Sequence, residues 1–146
     1  MNEMKRVVQV GIVVRDIERA SRLWAKLLGT EVPTSVETET PDITNMTYRG
    51  DISPGRAKLA FFTLENLTIE LIEPIGGPST WRDFLEKHGE GMHHIAFNVG
   101  DMSKSIEILK TIDIDIEQTG DFTGGCYAYT SPLSKLGVIL ELLARK

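Results

Sequence analysis

Cysteine is all but missing from this chain: Cys126 stands alone among 146 residues, so no internal disulfide can form. That fits a reducing compartment, and a cytoplasmic location is expected. Long apolar runs are missing too. Nothing reaches membrane-spanning length, and the start, Met1-Asn2-Glu3-Met4-Lys5-Arg6, is too polar for a secretory leader, so no membrane partner is expected. There is no excess of positive charge. Sixteen Lys and Arg face 21 Asp and Glu, a net charge of −5, which argues against nucleic acid or an anionic membrane surface as partner. Histidine is scarce, with three in all, and two of them are the neighbours His93 and His94.

What is present is ordinary globular material, 41% hydrophobic and 25% charged. A chain this long buries roughly two-thirds of its unfolded surface and needs no staples. Val7 to Val14 is nearly all apolar and β-branched and predicts a buried strand. Asp16 is placed to cap a helix whose apolar positions are Ile17, Ala20, Leu23, Trp24, Leu27 and Leu28, ended by Gly29. Thr30 to Thr38 reads as a more exposed strand. Thr40 to Arg56, with two prolines and two glycines, reads as an irregular excursion with a short strand near Asn45–Tyr48. Ala57–Leu64 and Leu67–Glu73, closed by Pro74, form a hairpin pattern. A short helix follows near Thr80–Lys87, then a strand from Met92 to Val99 and a second amphipathic helix over Asp101–Lys110. Strands are expected at Ile112–Gln118, Cys126–Thr130 and Gly137–Leu143.

The two halves repeat the same order. A shift of 85 positions sets Gln9 over His94, Asp16 over Asp101, Ile17 over Met102 and Trp24 over Leu109. The closing strands also match, Ile69-Glu70-Leu71-Ile72 against Leu140-Glu141-Leu142-Leu143. Similarity at a fixed shift indicates duplicated βαβββ units, whose faces away from the helices can enclose a cleft.

Period-two alternation then picks out four polar side chains. Gln9 and His94 open the first strand of each unit, opposite in face to its apolar residues. Glu70 and Glu141 sit in the last strands, flanked by Ile69 and Leu71 and by Leu140 and Leu142. A carboxylate in such a setting is costly to bury without a cation or hydrogen-bond donors. One imidazole, two carboxylates and an amide oxygen suit one divalent ion of the Mn, Fe, Co, Ni or Zn type.

At these residues the chain resembles the vicinal oxygen chelate superfamily, and within it methylmalonyl-CoA epimerase and glyoxalase I-like lyases. The phrases that carry the resemblance are Val10-Gly11-Ile12-Val13-Val14 with Asp16-Ile17, Ile69-Glu70-Leu71-Ile72-Glu73-Pro74 and Phe84-Leu85-Glu86-Lys87-His88. They continue with Gly91-Met92-His93-His94-Ile95-Ala96-Phe97 and Gly137-Val138-Ile139-Leu140-Glu141-Leu142. The resemblance implies an α+β fold of two tandem βαβββ modules forming an eight-stranded incomplete barrel around a cleft. One domain would span 1–146, with a first module at 1–78, a linker and short helix at 79–91, and a second module at 92–146. It implies Gln9, Glu70, His94 and Glu141 as metal ligands, and Glu141 and Glu70 as carriers of a proton beside a substrate carbonyl. The partner would be a small carbonyl compound, and the assembly a homodimer.

Two positions depart from the family pattern. The first-strand ligand is usually His and is Gln9 here. A second base, usually Glu in a Glu-x-Gly-like turn, is replaced by Pro54, with Asp51 nearby. The chain therefore reads as a metal-dependent lyase, isomerase or epimerase. The alternative is a metal-free binding or resistance-type protein of the same superfamily. A ring-cleaving dioxygenase, which wants two His and one carboxylate, fits poorly. Among other residues, His93 is expected to point opposite to His94 and His88 to favour a helix C-terminus. Tyr127 and Tyr129 share one face, and Cys126 is expected to be buried packing.

Overall fold

The computed structural model describes residues 4–146, so the polar start at Met1–Glu3 lies outside the described residues. The apolar run after Arg6 forms β1 (Val7–Val13), and Asp16 caps α1 (Ile17–Leu28) by accepting the Arg19 N–H at 3.0 Å. Gly29, at φ 69°, supplies the left-handed residue that ends the helix. Four short elements follow: β2 (Val36–Glu37), α2 (Pro41–Thr44), β3 (Thr47–Tyr48) and β4 (Asp51–Ile52). The hairpin is β5 (Gly55–Thr63) and β6 (Thr68–Gly76), and α3 (Thr80–His88) leads into β7 (Gly91–Asn98). The chain ends with α4 (Met102–Lys110), β8 (Ile116–Phe122), β9 (Gly125–Thr130) and β10 (Ile139–Arg145).

Among the described residues all ten strands belong to one mixed sheet, a curled half-barrel of order β2-β5-β6-β1-β7-β10-β9-β8-β3-β4. Outward from the centre, each half runs in the same way. β1 pairs parallel with β6, which pairs antiparallel with β5; β7 pairs parallel with β10, which pairs antiparallel with β9. The halves meet where β1 and β7 run antiparallel. There Gln9 pairs with Ala96 and Gly11 with His94, which is the register a twofold axis gives when it relates residues 85 apart.

Helices α1 and α4 cover the outer face. Ile17, Trp24, Ala25 and Leu28 of α1 pack on Val10, Ile12, Phe62, Ile69 and Leu71, while Met102, Ile106 and Leu109 of α4 pack on Leu142 and Ala144. A third cluster fills the concave side, where Trp81 and Leu85 of α3 meet Val13, Met46, Ile72, Tyr129 and Ile139. Among the described residues no helix is long and apolar enough to cross a membrane.

Four sequence expectations change. The sheet has ten strands rather than eight, because the excursion between β2 and β5 crosses the concave side and adds β3 and β4 beyond β8. This strap is tied down along its length. Arg49 donates its backbone N–H to the Glu117 carbonyl at 2.8 Å and its Nε–H to the Glu117 carboxylate at 2.7 Å. Thr47 and Thr119 hydroxyls meet at 2.7 Å, and the Glu39 carboxylate accepts from the Thr123 N–H at 2.6 Å. Second, the strand expected over Thr30–Thr38 shrinks to β2, at the sheet's edge. Third, the strand expected from Ile112 starts at Ile116. Asp113 takes a left-handed conformation (φ 58°) and Ile114 N–H bonds back to Leu109, so Ile112 is spent on the exit of α4. Fourth, β6 runs on through Pro74 to Gly76. This costs no ladder bond, since β1 stops pairing with β6 at Ile72.

The strap's hold on the concave core is testable at Met46, 2% exposed, against Ile52, 86% exposed, on the same excursion. Met46→Ala is expected to cost about 2–4 kcal/mol in urea unfolding. Ile52→Ala is expected to stay within about 0.5 kcal/mol.

Candidate active site and metal centre

The two glutamates are each delivered by a strand whose other face is committed to a helix. In β6, Ile69 and Leu71 belong to the cluster under α1, so Glu70 between them turns to the concave side. Leu142, under α4, does the same for Glu141 in β10. Parallel pairing sets Glu70 beside Gly11 and Glu141 beside Ala96. Both neighbours are small and buried, which leaves room for the carboxylates to lean toward the β1–β7 seam. At Gly11 the space is taken by His94 itself: a Cβ there would sit 2.0 Å from Cε1 of the ring. Glycine is what lets the imidazole lie across the β1 backbone.

The four side chains meet. His94 Nε2 lies 3.0 Å from Glu141 Oε2, 3.1 Å from Gln9 Oε1 and 3.6 Å from Glu70 Oε1. One donor atom each from Glu70, His94 and Glu141 can be chosen so that all lie within 4.8 Å of one another. Donors about 2.1 Å from a shared octahedral ion lie about 3 Å apart when cis and about 4 Å apart when trans. The cluster is therefore of the right size.

Its electrostatics are unbalanced. Glu70 and Glu141 are both buried, and Glu70 Oε1 and Glu141 Oε2 make no hydrogen bond. Burial, with the Glu141 charge added, holds the Glu70 carboxyl well above the usual carboxylate range. Two orphaned carboxylate oxygens beside one imidazole nitrogen and one amide oxygen form a donor set that a divalent cation completes. The residues present fit such an ion.

Gln9, Glu70 and Glu141 line a cleft of about 460 Å³, and His94 lies behind them with no exposure. Met46 of the strap and three aromatic rings, Trp81, Tyr127 and Tyr129, form much of its wall. The rings are fixed by polar contacts. Trp81 Nε1 donates to the Tyr129 hydroxyl at 3.2 Å, and Gln118 Nε2 donates to the Tyr127 hydroxyl at 3.0 Å. Burial pushes both phenols upward, so both stay protonated at neutral pH.

The sequence pattern missed three features. Gln118 is fully buried and takes the Thr80 N–H at 2.8 Å on its Oε1, joining α3 to the cleft wall; nothing in the alternation around it marks that role. His93 does not point opposite to His94. Gly11 pairs with His94 but Ile12 pairs with Met92, so His93 is the extra residue of a β-bulge and its ring stays beside that of His94, at 5.2 Å between centroids. Asp51, the nearest stand-in for the missing second base, is exposed on β4 and does not line the cleft. His88 ends α3, as expected for a side chain favoured at a helix C-terminus, and Cys126 is half-buried against the α4 cluster.

Comparison with known proteins shows the family. Residues 8–130 match the Glyoxalase/Bleomycin resistance protein/Dioxygenase superfamily. The chain belongs to that superfamily. Members commonly bind a divalent metal, and the buried Glu-His-Glu cluster could hold one here. The chain is 28% identical to an uncharacterised protein of Bacillus subtilis over 98% of this chain and 94% of that one. It is also 28% identical to the ethylmalonyl-CoA/methylmalonyl-CoA epimerase of Cereibacter sphaeroides, covering 94% and 96% of the two chains. Among solved structures, methylmalonyl-CoA epimerase from Mycobacterium tuberculosis shares the fold at a TM-score of 0.68 and 20% identity. That match covers all of this chain and 91% of the other.

Two outcomes follow from the site's geometry. Gly11→Ala must move the His94 ring, and is expected to cost about 1–3 kcal/mol of stability, read by denaturant unfolding, and to weaken divalent-metal binding. In chelator-treated protein, Glu70 has a raised folded pKa, so its ionisation opposes folding. Its stability contribution is intact below the ordinary glutamate pKa and is lost as pH rises through the raised one. His93, depressed by burial, works in the opposite direction and loses stability as pH falls below about 6.5. The comparison of wild type with Glu70→Gln isolates the carboxyl. Glu70→Gln is expected to be the more stable protein, by a margin that widens as pH rises from the ordinary glutamate range toward neutrality. A margin in melting temperature that stays flat over that range contradicts the assignment.

Proposed function

We propose that this protein is a divalent-metal-dependent isomerase or lyase of the epimerase kind, which moves a proton on the carbon next to a carbonyl of a small substrate. The observation that carries the reading is the pair of buried, unpartnered carboxylate oxygens of Glu70 and Glu141 facing the same imidazole nitrogen at the back of a cleft. Gln9, Glu70, His94 and Glu141 would hold the ion. Such an ion supplies Lewis-acid polarisation of the substrate carbonyl and offsets the negative charge that develops there.

The chain's own residues do the rest. A carboxylate oxygen of Glu141 or Glu70 accepts the proton from the carbon beside the carbonyl and returns it to give the rearranged product. Tyr127, Tyr129 and Trp81 present an apolar wall that excludes water while the carbon is deprotonated. Asp51 lies outside the cleft and position 54 is proline, so that turn supplies no second base, and the reading rests on the pair Glu70 and Glu141. Transfer out and back by that pair is the chemistry the cleft supports.

The substrates in the names of the relatives set the first compounds to try, short acyl-CoA thioesters of the methylmalonyl and ethylmalonyl type, followed by free 2-oxo acids. A second reading, ligand sequestration without metal, draws on the Gln9 Oε1 to His94 Nε2 contact of 3.1 Å, which satisfies the imidazole without an ion. The test is exchange of the substrate α-proton into deuterated water, followed by NMR with Co²⁺ or Mn²⁺ supplied. Wild type is expected to exchange it, Glu141→Gln to lose about 10²–10⁴-fold, and chelator to abolish it. No exchange with any of these compounds, together with a ligand-induced rise in melting temperature that ignores chelator, would favour sequestration instead.

A further inference from the structure

We infer that His93 and Thr80 are positioning residues that set which nitrogen of His94 carries its proton, through a buried relay running from α3 to the proposed metal position. His93 Nδ1 lies 2.9 Å from His94 Nδ1, and His93 Nε2 lies 3.1 Å from the Thr80 hydroxyl. Both imidazoles are at most 1% exposed. Phe84 and Tyr129 stand edge-on to the His93 ring, each at 5.3 Å, and leave it little freedom to turn. Thr80 is itself pinned. It opens α3, whose cap Ser79 accepts the Arg82 N–H at 3.0 Å, and its own N–H goes to Gln118.

Two nitrogens 2.9 Å apart can share only one proton, so the relay has two consistent settings. In the first, the Thr80 hydroxyl donates to His93 Nε2, His93 Nδ1–H donates to His94 Nδ1, and His94 carries its proton on Nε2, toward Gln9 and Glu141. In the second, His94 Nδ1–H donates to His93 Nδ1, His93 Nε2–H donates to Thr80 Oγ1, and His94 Nε2 presents a lone pair. Each setting has one proton on each ring and one on the hydroxyl, so passing between them changes neither the charge nor the proton count. Only the second lets His94 act as a ligand. His93 is therefore an acceptor that holds the ligating tautomer, a role that histidine ligands more often give to a carboxylate or a backbone carbonyl.

This inference rests on the metal-dependent reading, and the tests separate the two. The first is Zn²⁺ titration of chelator-treated protein by calorimetry, in wild type, His93→Phe, His93→Gln and Thr80→Val. His93→Phe removes the acceptor and is expected to weaken Zn²⁺ binding by about 10–100-fold. His93→Gln, whose amide oxygen can accept from His94 Nδ1–H, is expected to recover much of that loss. Thr80→Val is expected to lose less than His93→Phe. The second is the nitrogen-15 imidazole spectrum of the wild type, which needs no variant to fold. With Zn²⁺ the protons are expected on His94 Nδ1 and His93 Nε2. Equal Zn²⁺ affinity in wild type and His93→Phe, or a proton on His93 Nδ1 in the Zn²⁺-loaded protein, overturns the relay while leaving the metal reading intact. No Zn²⁺ uptake by wild type overturns both.

Discussion

The structure depends on the cost of burying two carboxylates side by side at the back of the cleft. Glu70 and Glu141 enter from opposite halves of the sheet and stop at the same imidazole, each with an oxygen that no donor satisfies. Ordinary cores do not tolerate this, since an unpaired buried charge costs several kcal/mol. The fold around the pair is arranged to keep it in place. Helices α1 and α4 take the outer faces of β6 and β10, which commits the glutamates to the inside. Gly11 and Ala96 leave room for them, and Gly11 leaves room for His94 as well.

Much of that was legible in the sequence because it follows from two short-range regularities. Alternation along a strand decides the face of Glu70 and Glu141, and the shift of 85 residues decides that Gln9 and His94 occupy equivalent positions. The antiparallel register, Gln9 to Ala96 and Gly11 to His94, is the spatial form of that same shift. Helix boundaries were legible for the same kind of reason, since Asp16, Gly29 and Asp101 act on backbone groups within a turn of themselves.

What was not legible is set by partners far away in the chain. The bulge that keeps His93 beside His94 is a mismatch between β1 and β7, not a property of either strand. The strap from residue 38 to 54 pairs with β8, roughly 70 residues further on, and its composition says only that it is irregular. Gln118 becomes a buried link between α3 and Tyr127 only once β8 and α3 are both in position. These features complete the cleft, closing its open side, fixing its aromatic wall and giving His94 a neighbour on its far nitrogen. The substitution of glutamine for the usual histidine at position 9 was visible at once, and the geometry shows that its amide oxygen still reaches the cluster.

The central claim is that the four side chains are a divalent-metal site. A crystal grown from chelator-treated protein and soaked in Mn²⁺, with data collected for anomalous scattering, tests it most directly. The account predicts a single strong peak about 2.0–2.3 Å from His94 Nε2 and from a carboxylate oxygen of each of Glu70 and Glu141, with the Gln9 amide oxygen completing the protein's share. Density at other carboxylates only, with His94 Nε2 still hydrogen-bonded to Gln9 Oε1, would contradict it.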